Sequence, residues 1–347
     1  MLKAGGNMLR LFSFRGWKSI TVGIILCNIV AGVTVEAADA ETLLAEGAAG
    51  IVAADYNKAY EAYSQAIAQN DKLAVAFVGR AKAAKRLGNF DECIKDLDMA
   101  LSLEPGNAVY WFNRGCVYQE YNFYDEAIAD FLKAYEIEPR GLYSLMNLVM
   151  TYQSTKDYAN AVIYADKMVE LYESNDYVFA EGLNFDKETQ ALMYASAASA
   201  HHQLHSKEHN EKALALCDKA VLSDDMTTHW GLYMRSSVYL ALDDPEKALI
   251  DCNKAFELCK EKTFEPFLYI LRSSIFHKQK KDQEALQEIN KCLDVWKDYR
   301  DAYLTRADIY YALNDLESAK ADGRKYLELG GSKEKMADWL KKMLGIG

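Results

Sequence analysis

Residues 108–139 read AVYWFNRGCVYQEYNFYDEAIADFLKAYEIEP, and this stretch decides the fold of the chain. Its small residues Gly115, Ala127 and Ala134 are placed where two antiparallel helices would approach each other most closely. Large aromatic side chains lie three or four residues from these positions and would fill the space beside them. Pro139 ends the segment, where a helix could not continue. The stretch therefore predicts a hairpin of two α-helices.

The same arrangement recurs along the chain with a period close to 34 residues. Its small residue at the start of the second helix returns eight times, as Ala59, Cys93, Ala127, Ala161, Ala213, Ala248, Ala285 and Ala319. The interval between Ala161 and Ala213 is longer than one period, which indicates an insertion there. The chain holds only four prolines, and none falls inside a predicted helix. We therefore expect an all-α protein of about eight helical hairpins.

The pattern of residues 108–139 resembles the tetratricopeptide repeat at each of its characteristic positions. The resemblance extends over about residues 40–331. It implies a right-handed superhelical solenoid of helix-turn-helix repeats, and members of the family usually bind their ligands on the concave surface. The expected organisation is a signal peptide at 1–37, repeats 1–4 at 38–173, an inserted connector at 174–190, repeats 5–8 at 191–331 and a C-terminal capping helix at 332–347.

The first 37 residues differ from the rest of the sequence. Four basic residues precede Ile20–Val33, an almost wholly apolar run that is short for a membrane span of about 20 residues. Small residues follow at Val35-Glu36-Ala37, as a signal peptidase requires. This order predicts a cleaved signal peptide and a periplasmic or secreted protein. The alternative is an uncleaved anchor, which would tether the protein to a membrane.

The charge of the chain restricts the classes of partner. The whole sequence has a net charge of −11, and removal of residues 1–37, with four bases and one acid, leaves about −14. Such a charge argues against a nucleic-acid binder and against non-specific binding to anionic lipid. We expect a protein or peptide ligand, no nucleic acid and no cofactor. The sequence contains no signal for the oligomeric state.

The resemblance also places the ligand groove, on the first helix of each repeat. Large apolar side chains at these positions exceed what a solvated groove requires. The predicted partner-binding residues are Val78, Lys82, Lys85, Arg86, Phe112, Gln119, Tyr143, Met146, Met150, Trp230, Tyr233, Phe267, Ile270 and Tyr311. The alternative is that some of them pack into neighbouring repeats. The carboxylate clamp of chaperone-binding relatives is absent, since Val78 and Cys116 stand at two of its positions.

Two further patterns have a structural and a functional interpretation. Four histidines fall within His201–His209. The simpler interpretation is that they are ordinary residues at the end of a helix, and the functional one is that they form a metal site. The inserted stretch 174–186 has no helical period and contains aromatic residues. It could reach into the groove, or pack on its neighbours as a bridge between two half-arrays.

Five repeats carry an arginine in the first helix and an acid 16 residues later in the second helix. The pairs are Arg80 with Asp96, Arg114 with Asp130, Arg235 with Asp251, Arg272 with Glu288, and Arg306 with Asp322. Repeats 1, 4 and 5 lack the arginine, and the acid is absent from them as well. This concordance predicts an ion pair that fixes the register of each hairpin.

No catalytic motif is present: the sequence contains no P-loop, GxGxxG, HExxH or GxSxG. We therefore predict a non-catalytic scaffold or adaptor that binds a protein or peptide along its concave groove. A carbohydrate- or envelope-binding module that uses the same aromatic-lined groove is the alternative.

Overall fold

The computed structural model describes residues 35–178, 186–223 and 228–346. Within these ranges the regular elements are 17 α-helices and a short 3-10 turn. In addition, one isolated parallel bridge pairs Gly141 with Val178. The described residues form two compact units, residues 35–178 and residues 186–346. The predicted signal peptide falls almost wholly outside the described part, and the predicted cleavage site after Ala37 lies in the first turn of the first helix.

The N-terminal unit contains four helical hairpins. Its helices are α1 (Val35–Val52), α2 (Tyr56–Gln69), α3 (Ala74–Arg86), α4 (Phe90–Leu103), α5 (Ala108–Glu120), α6 (Tyr124–Ile137), α7 (Leu142–Ser154) and α8 (Tyr158–Glu173). Each odd-numbered helix packs against the next helix of its own hairpin, and α3, α5 and α7 also pack against the second helix of the hairpin before them.

The C-terminal unit contains four more hairpins and a terminal cap. Its helices are α9 (Lys187–His202), α10 (Lys207–Ser223), α11 (Thr228–Ala241), α12 (Pro245–Leu258), α13 (Glu265–Lys278), α14 (Asp282–Val295), α15 (Arg300–Ala312), α16 (Leu316–Glu328) and α17 (Asp338–Leu344). Helix α9 begins before the predicted repeat start at Ala191, because Oδ1 of Asp186 accepts a hydrogen bond from the Thr189 N–H and caps the helix.

The eight small residues that set the repeat period are all buried where the two helices of a hairpin meet. Gly115 shows how close this approach is, since a Cβ at this position would lie 2.8 Å from the ring of Phe131. The turn of each hairpin contains one residue with a positive φ, which reverses the chain direction. These residues are Ala54, Gly88, Asn122, Lys156, His205, Asp243, Lys280 and Asn314. The predicted all-α repeat architecture is confirmed.

The predicted ion pairs are also confirmed, and each arginine has a second contact. Arg114 donates from Nε and Nη2 to the two carboxylate oxygens of Asp130 at 2.8 and 2.7 Å, and from Nη1 to Asp98 of the preceding hairpin at 2.5 Å. Three other arginines repeat this geometry: Arg80 with Asp96 and Ser64, Arg235 with Asp251 and Asp218, and Arg306 with Asp322 and Asn290. Arg272 differs, because its Nε and Nη2 both donate to Oε2 of Glu288, while its Nη1 donates to Asn253.

The C-terminal helix is shorter than the helix predicted from Ser332. A 3-10 turn spans Lys333–Lys335, and α17 begins only at Asp338. The backbone N–H of Ser332 instead donates to the Tyr326 hydroxyl at 3.0 Å, so this residue belongs to the preceding hairpin. Met336 and Leu340 are nevertheless buried against the last repeat, as expected of a cap.

Candidate binding groove

The predicted groove residues of the N-terminal unit lie on α3, α5 and α7. Two clusters form among them. Phe112 and Tyr143 line one large cavity, whereas Val78, Lys82 and Lys85 line a small recess beside it. The remaining predicted residues of this unit, Arg86, Gln119, Met146 and Met150, line neither.

An open cavity of about 670 Å³ lies between the first turns of α5 and α7. Ala134 and Ile137 of α6 contribute apolar lining between the aromatic side chains of Phe112 and Tyr143. The ring of Phe112 packs against the buried ring of Phe131, with centroids 5.7 Å apart, which holds it in place. The volume is within the range of small-ligand sites, roughly 300–1,000 Å³. Such a cavity can enclose large apolar groups.

One edge of the cavity is formed by Val178 of the inserted connector, the segment for which reaching into the groove was one of two interpretations. The N–H of Val178 donates to the carbonyl of Arg140 at 2.9 Å, and the Val178 side chain lines the cavity. The ring of Tyr177 stacks on Tyr172 of α8 at 5.4 Å. The described part of the connector thus both packs on its neighbours and contributes to the groove. Its predicted aromatic residues Phe179 and Phe185 lie outside the described residues.

The small recess presents hydrogen-bond donors. Lys82 is half-buried on α3, burial lowers its pKa, and it makes no ion pair with any residue of the described ranges. Beside it, the Nδ2 atom of Asn113 is buried and has no hydrogen-bond partner among the described residues. Asn113 was not predicted from the sequence, although it lies between two predicted positions of α5. The recess has a volume of only about 10 Å³, which is room for no more than one water molecule beside these donors.

Other predicted groove residues already have partners within the unit. Lys85 forms an ion pair with Glu120. The Nε2 atom of Gln119 donates to Oγ1 of Thr151 at 2.8 Å, which links α5 to α7. Val78 is 6% exposed and belongs to the hydrophobic core. The charge of Lys85 is therefore already paired within the unit, and the alternative of packing into neighbouring repeats describes Val78.

The predicted groove residues of the C-terminal unit pack mainly on one another. Trp230 is only 9% exposed, and its ring centroid lies 4.6 Å from that of the fully buried Phe264. Tyr233 and Phe267 pack against the same ring at 5.3 and 5.5 Å. Burial raises the pKa of Tyr233 to about 12. Trp230 is therefore a core residue. Phe264 lies in a turn, where no repeat position marks it as the centre of this cluster.

Two more predicted residues lie at the C-terminal end of this unit. Ile270 is partly buried against the hydrophobic cluster of α14 and α15. Tyr311 is 43% exposed, and its ring stacks on Trp339 of α17 with centroids 3.9 Å apart. The terminal helix thus covers part of the predicted groove.

The histidine cluster lies at the turn between α9 and α10. The Nδ1 atoms of His201 and His209 are 2.9 Å apart, and Nδ1 of His202 lies 2.9 Å from Oδ1 of Asn210. Burial lowers the pKa of His202. Within the described ranges, no three or more His, Cys, Asp or Glu side chains are grouped as metal ligands. A membrane-spanning helix is likewise not found among the described residues.

Comparisons with known proteins agree with this geometry. Two family models, both described as tetratricopeptide repeat, match the chain, one at residues 108–140 and the other at residues 142–175, 231–262 and 301–329. The small glutamine-rich tetratricopeptide repeat-containing protein 2 of Mycosarcoma maydis is 41% identical over 68 residues, which are 20% of this chain and 19% of that protein. The chain therefore matches about a fifth of the length of this curated relative.

Solved structures show the same fold at low sequence identity. A tetratricopeptide repeat protein from Parabacteroides merdae ATCC 43184 has a TM-score of 0.53 at 16% identity, covering 89% of this chain and 98% of that one. A chain of the APC/C hetero-tetramer Cut9–Hcn1 has a TM-score of 0.56 at 14% identity, covering 88% and 55%. With the repeat period, the stacked hairpins and the four matched segments, these comparisons identify the chain as a tetratricopeptide repeat protein.

Proposed function

We propose that this protein is a non-catalytic interaction scaffold whose N-terminal unit binds an extended segment of a partner protein. The observation that carries the proposal is the cavity of about 670 Å³ between α5 and α7. Its anchors Phe112 and Tyr143 lie on the first helices of consecutive hairpins, so one ligand can contact two repeats. Interfaces gain most of their affinity from such aromatic pockets.

The recess beside this cavity supports a ligand with a second, acidic feature. Asn113 of the recess is adjacent in sequence to Phe112 of the cavity, so both sites share α5. The recess has a volume of only about 10 Å³, so a carboxylate of the partner would meet Lys82 at its mouth or through a bridging water and would not enter it. We infer that the bound segment is apolar where it enters the cavity and acidic where it meets the recess.

A random library of twelve-residue peptides, displayed on phage and selected on the purified protein, tests this proposal. We expect recovered sequences that combine a bulky apolar residue with Asp or Glu. A protein from which no specific peptide is recovered, or one whose peptides bind elsewhere by chemical-shift mapping, would exclude the groove. Binding to envelope polysaccharide in place of peptides would favour the glycan-binding alternative.

The change Lys82→Met is expected to weaken an acid-bearing selected peptide about tenfold, because methionine keeps the length of the side chain and removes its charge. Burial lowers the pKa of Lys82, so its charge, and with it the affinity, should decline at a lower pH than for an exposed lysine. The matched control Lys95→Met replaces an exposed lysine of α4. If peptide titrations give the same dissociation constant for the Lys82→Met and Lys95→Met variants, the recess does not bind an acidic group.

We also propose that the protein is exported, from the basic leader and apolar run before Val35-Glu36-Ala37. Expression in a bacterial host with an export pathway is expected to yield a mature chain that begins at Ala38. Intact-mass measurement of the secreted or periplasmic protein checks this. A mass that retains residues 1–37 would instead support an uncleaved anchor.

A further inference from the structure

The wall that Val178 adds to the cavity comes from outside the repeats. Cavity residues such as Phe112 and Tyr143 belong to helices that recur in each hairpin, whereas Val178 belongs to the inserted connector. We propose that Val178 is a specificity-determining residue that sets the size of the apolar group admitted to the cavity. This inference rests on the proposed function, because it assumes that the cavity binds a ligand.

The connector holds Val178 in place through three contacts. Its main chain is hydrogen-bonded to Arg140 at 2.9 Å and forms a parallel bridge with Gly141, the residue directly before α7. Asp176 lies 3.7 Å from Nη1 of Arg140. The stacked ring of Tyr177 fixes the segment to α8 on its other side. Because the main chain makes the decisive bonds, the side chain of residue 178 can be changed without releasing the connector.

A valine side chain is better suited to limit the size of a bound group than to supply most of its contact surface. Its branched Cβ restricts the side chain to few rotamers, so it cannot swing aside to admit a larger group. The cavity is otherwise open, and Val178 is half-buried at its edge. A ligand group that meets this wall is selected by shape, since well-packed side chains yield little to an oversized neighbour.

Ligand-detected saturation-transfer NMR on the purified protein tests the role of Val178. The probes are N-acetyl-leucinamide, N-acetyl-phenylalaninamide and N-acetyl-tryptophanamide, titrated to obtain three dissociation constants. In Val178→Ala, the affinity for the tryptophan probe relative to the leucine probe should rise about three- to tenfold. In Val178→Thr, which keeps the shape of valine, this ratio should stay at its wild-type value while all three affinities fall together.

Two controls separate the failure of this inference from the failure of the proposed function. Val52→Ala changes an exposed valine of α1 outside the cavity and should leave all three constants unchanged. Phe112→Ala should weaken all three probes if the cavity is the binding site. If Phe112→Ala weakens them and Val178→Ala leaves the tryptophan-to-leucine ratio unchanged, the assignment of Val178 is wrong and the groove remains. If the wild type binds none of the probes, or Phe112→Ala has no effect, both proposals are overturned.

Discussion

Replacing Arg114 with alanine is expected to lower the free energy of unfolding by about 3–5 kcal/mol. The side chain of Asp130 is only 4% exposed and that of Arg114 18%. The hydrogen bonds that Arg114 donates to Asp130 raise the pKa of Arg114 above its usual range. Burial raises the pKa of the Asp130 carboxyl, and the guanidinium opposes this. Without Arg114, the carboxyl is left buried and unpaired, which costs far more than the loss of an exposed ion pair.

Urea unfolding followed by circular dichroism measures this effect against two controls. Lys133→Ala removes one partner of an exposed pair with Glu136, and we expect a change within about 0.5 kcal/mol. The double substitution Arg114→Met with Asp130→Leu should recover much of the lost stability, since apolar residues then replace both charges. Equal losses for Arg114→Ala and Lys133→Ala would show that the buried pair does not hold the hairpin together.

Substitution of both Phe112 and Tyr143 by alanine is expected to weaken a selected peptide by about 2 kcal/mol or more, roughly 30-fold in dissociation constant. The two side chains line the same cavity from consecutive hairpins. Their removal leaves an apolar ligand group without its main contact surface, and it leaves the rest of the groove intact. Isothermal titration calorimetry with the wild-type and doubly substituted proteins measures the difference.

The control for this prediction is Tyr311→Ala in the C-terminal unit. Tyr311 is also a predicted groove residue, but it lies against Trp339 of the terminal helix. We expect its replacement to change the dissociation constant less than twofold, roughly 0.4 kcal/mol, because the N-terminal cavity is the primary site. Thermal melts of every variant are needed, since Phe112 packs on Phe131. A double variant that folds and binds like the wild type would move the site away from this cavity.

The repeated hairpins could be predicted because their geometry constrains the sequence at every period. Two helices can meet closely only where side chains are small, so residues such as Cys93 and Ala127 recur at a fixed spacing and are buried. The arginine–acid pairs were predictable for a similar reason. Removal of one partner would leave the other charge unpaired, so the two residues are present together or absent together.

The contacts that the sequence did not reveal lack either a constant residue type or a repeat position. The second partner of each arginine lies at one repeat position, five residues after the small residue of the preceding hairpin, but its type varies from Ser64 to Asn253 and Asp218, so its role was harder to recognise than that of the acids. Val178 comes from an insertion, and its contact with the cavity depends on a main-chain bond to Arg140 that any residue could make. Trp230 was assigned to the groove from its repeat position. That position does not show whether another side chain, here Phe264, covers it.

The double role of the arginines bears on how the molecule unfolds. Because each one bonds to its own hairpin and to the hairpin before it, opening one hairpin breaks bonds in its neighbour as well. Repeat arrays behave as chains of units coupled to their nearest neighbours, and such shared bonds raise that coupling. The arginines connect hairpins 1–3 in one series and hairpins 5–8 in another, while hairpins 1, 4 and 5 carry none of their own. These two series are the segments that should open and close as cooperative blocks. Hairpin 4, which no arginine joins to its neighbours, should exchange its amide protons more independently than the others, with the Gln119–Thr151 bond as its side-chain link to hairpin 3.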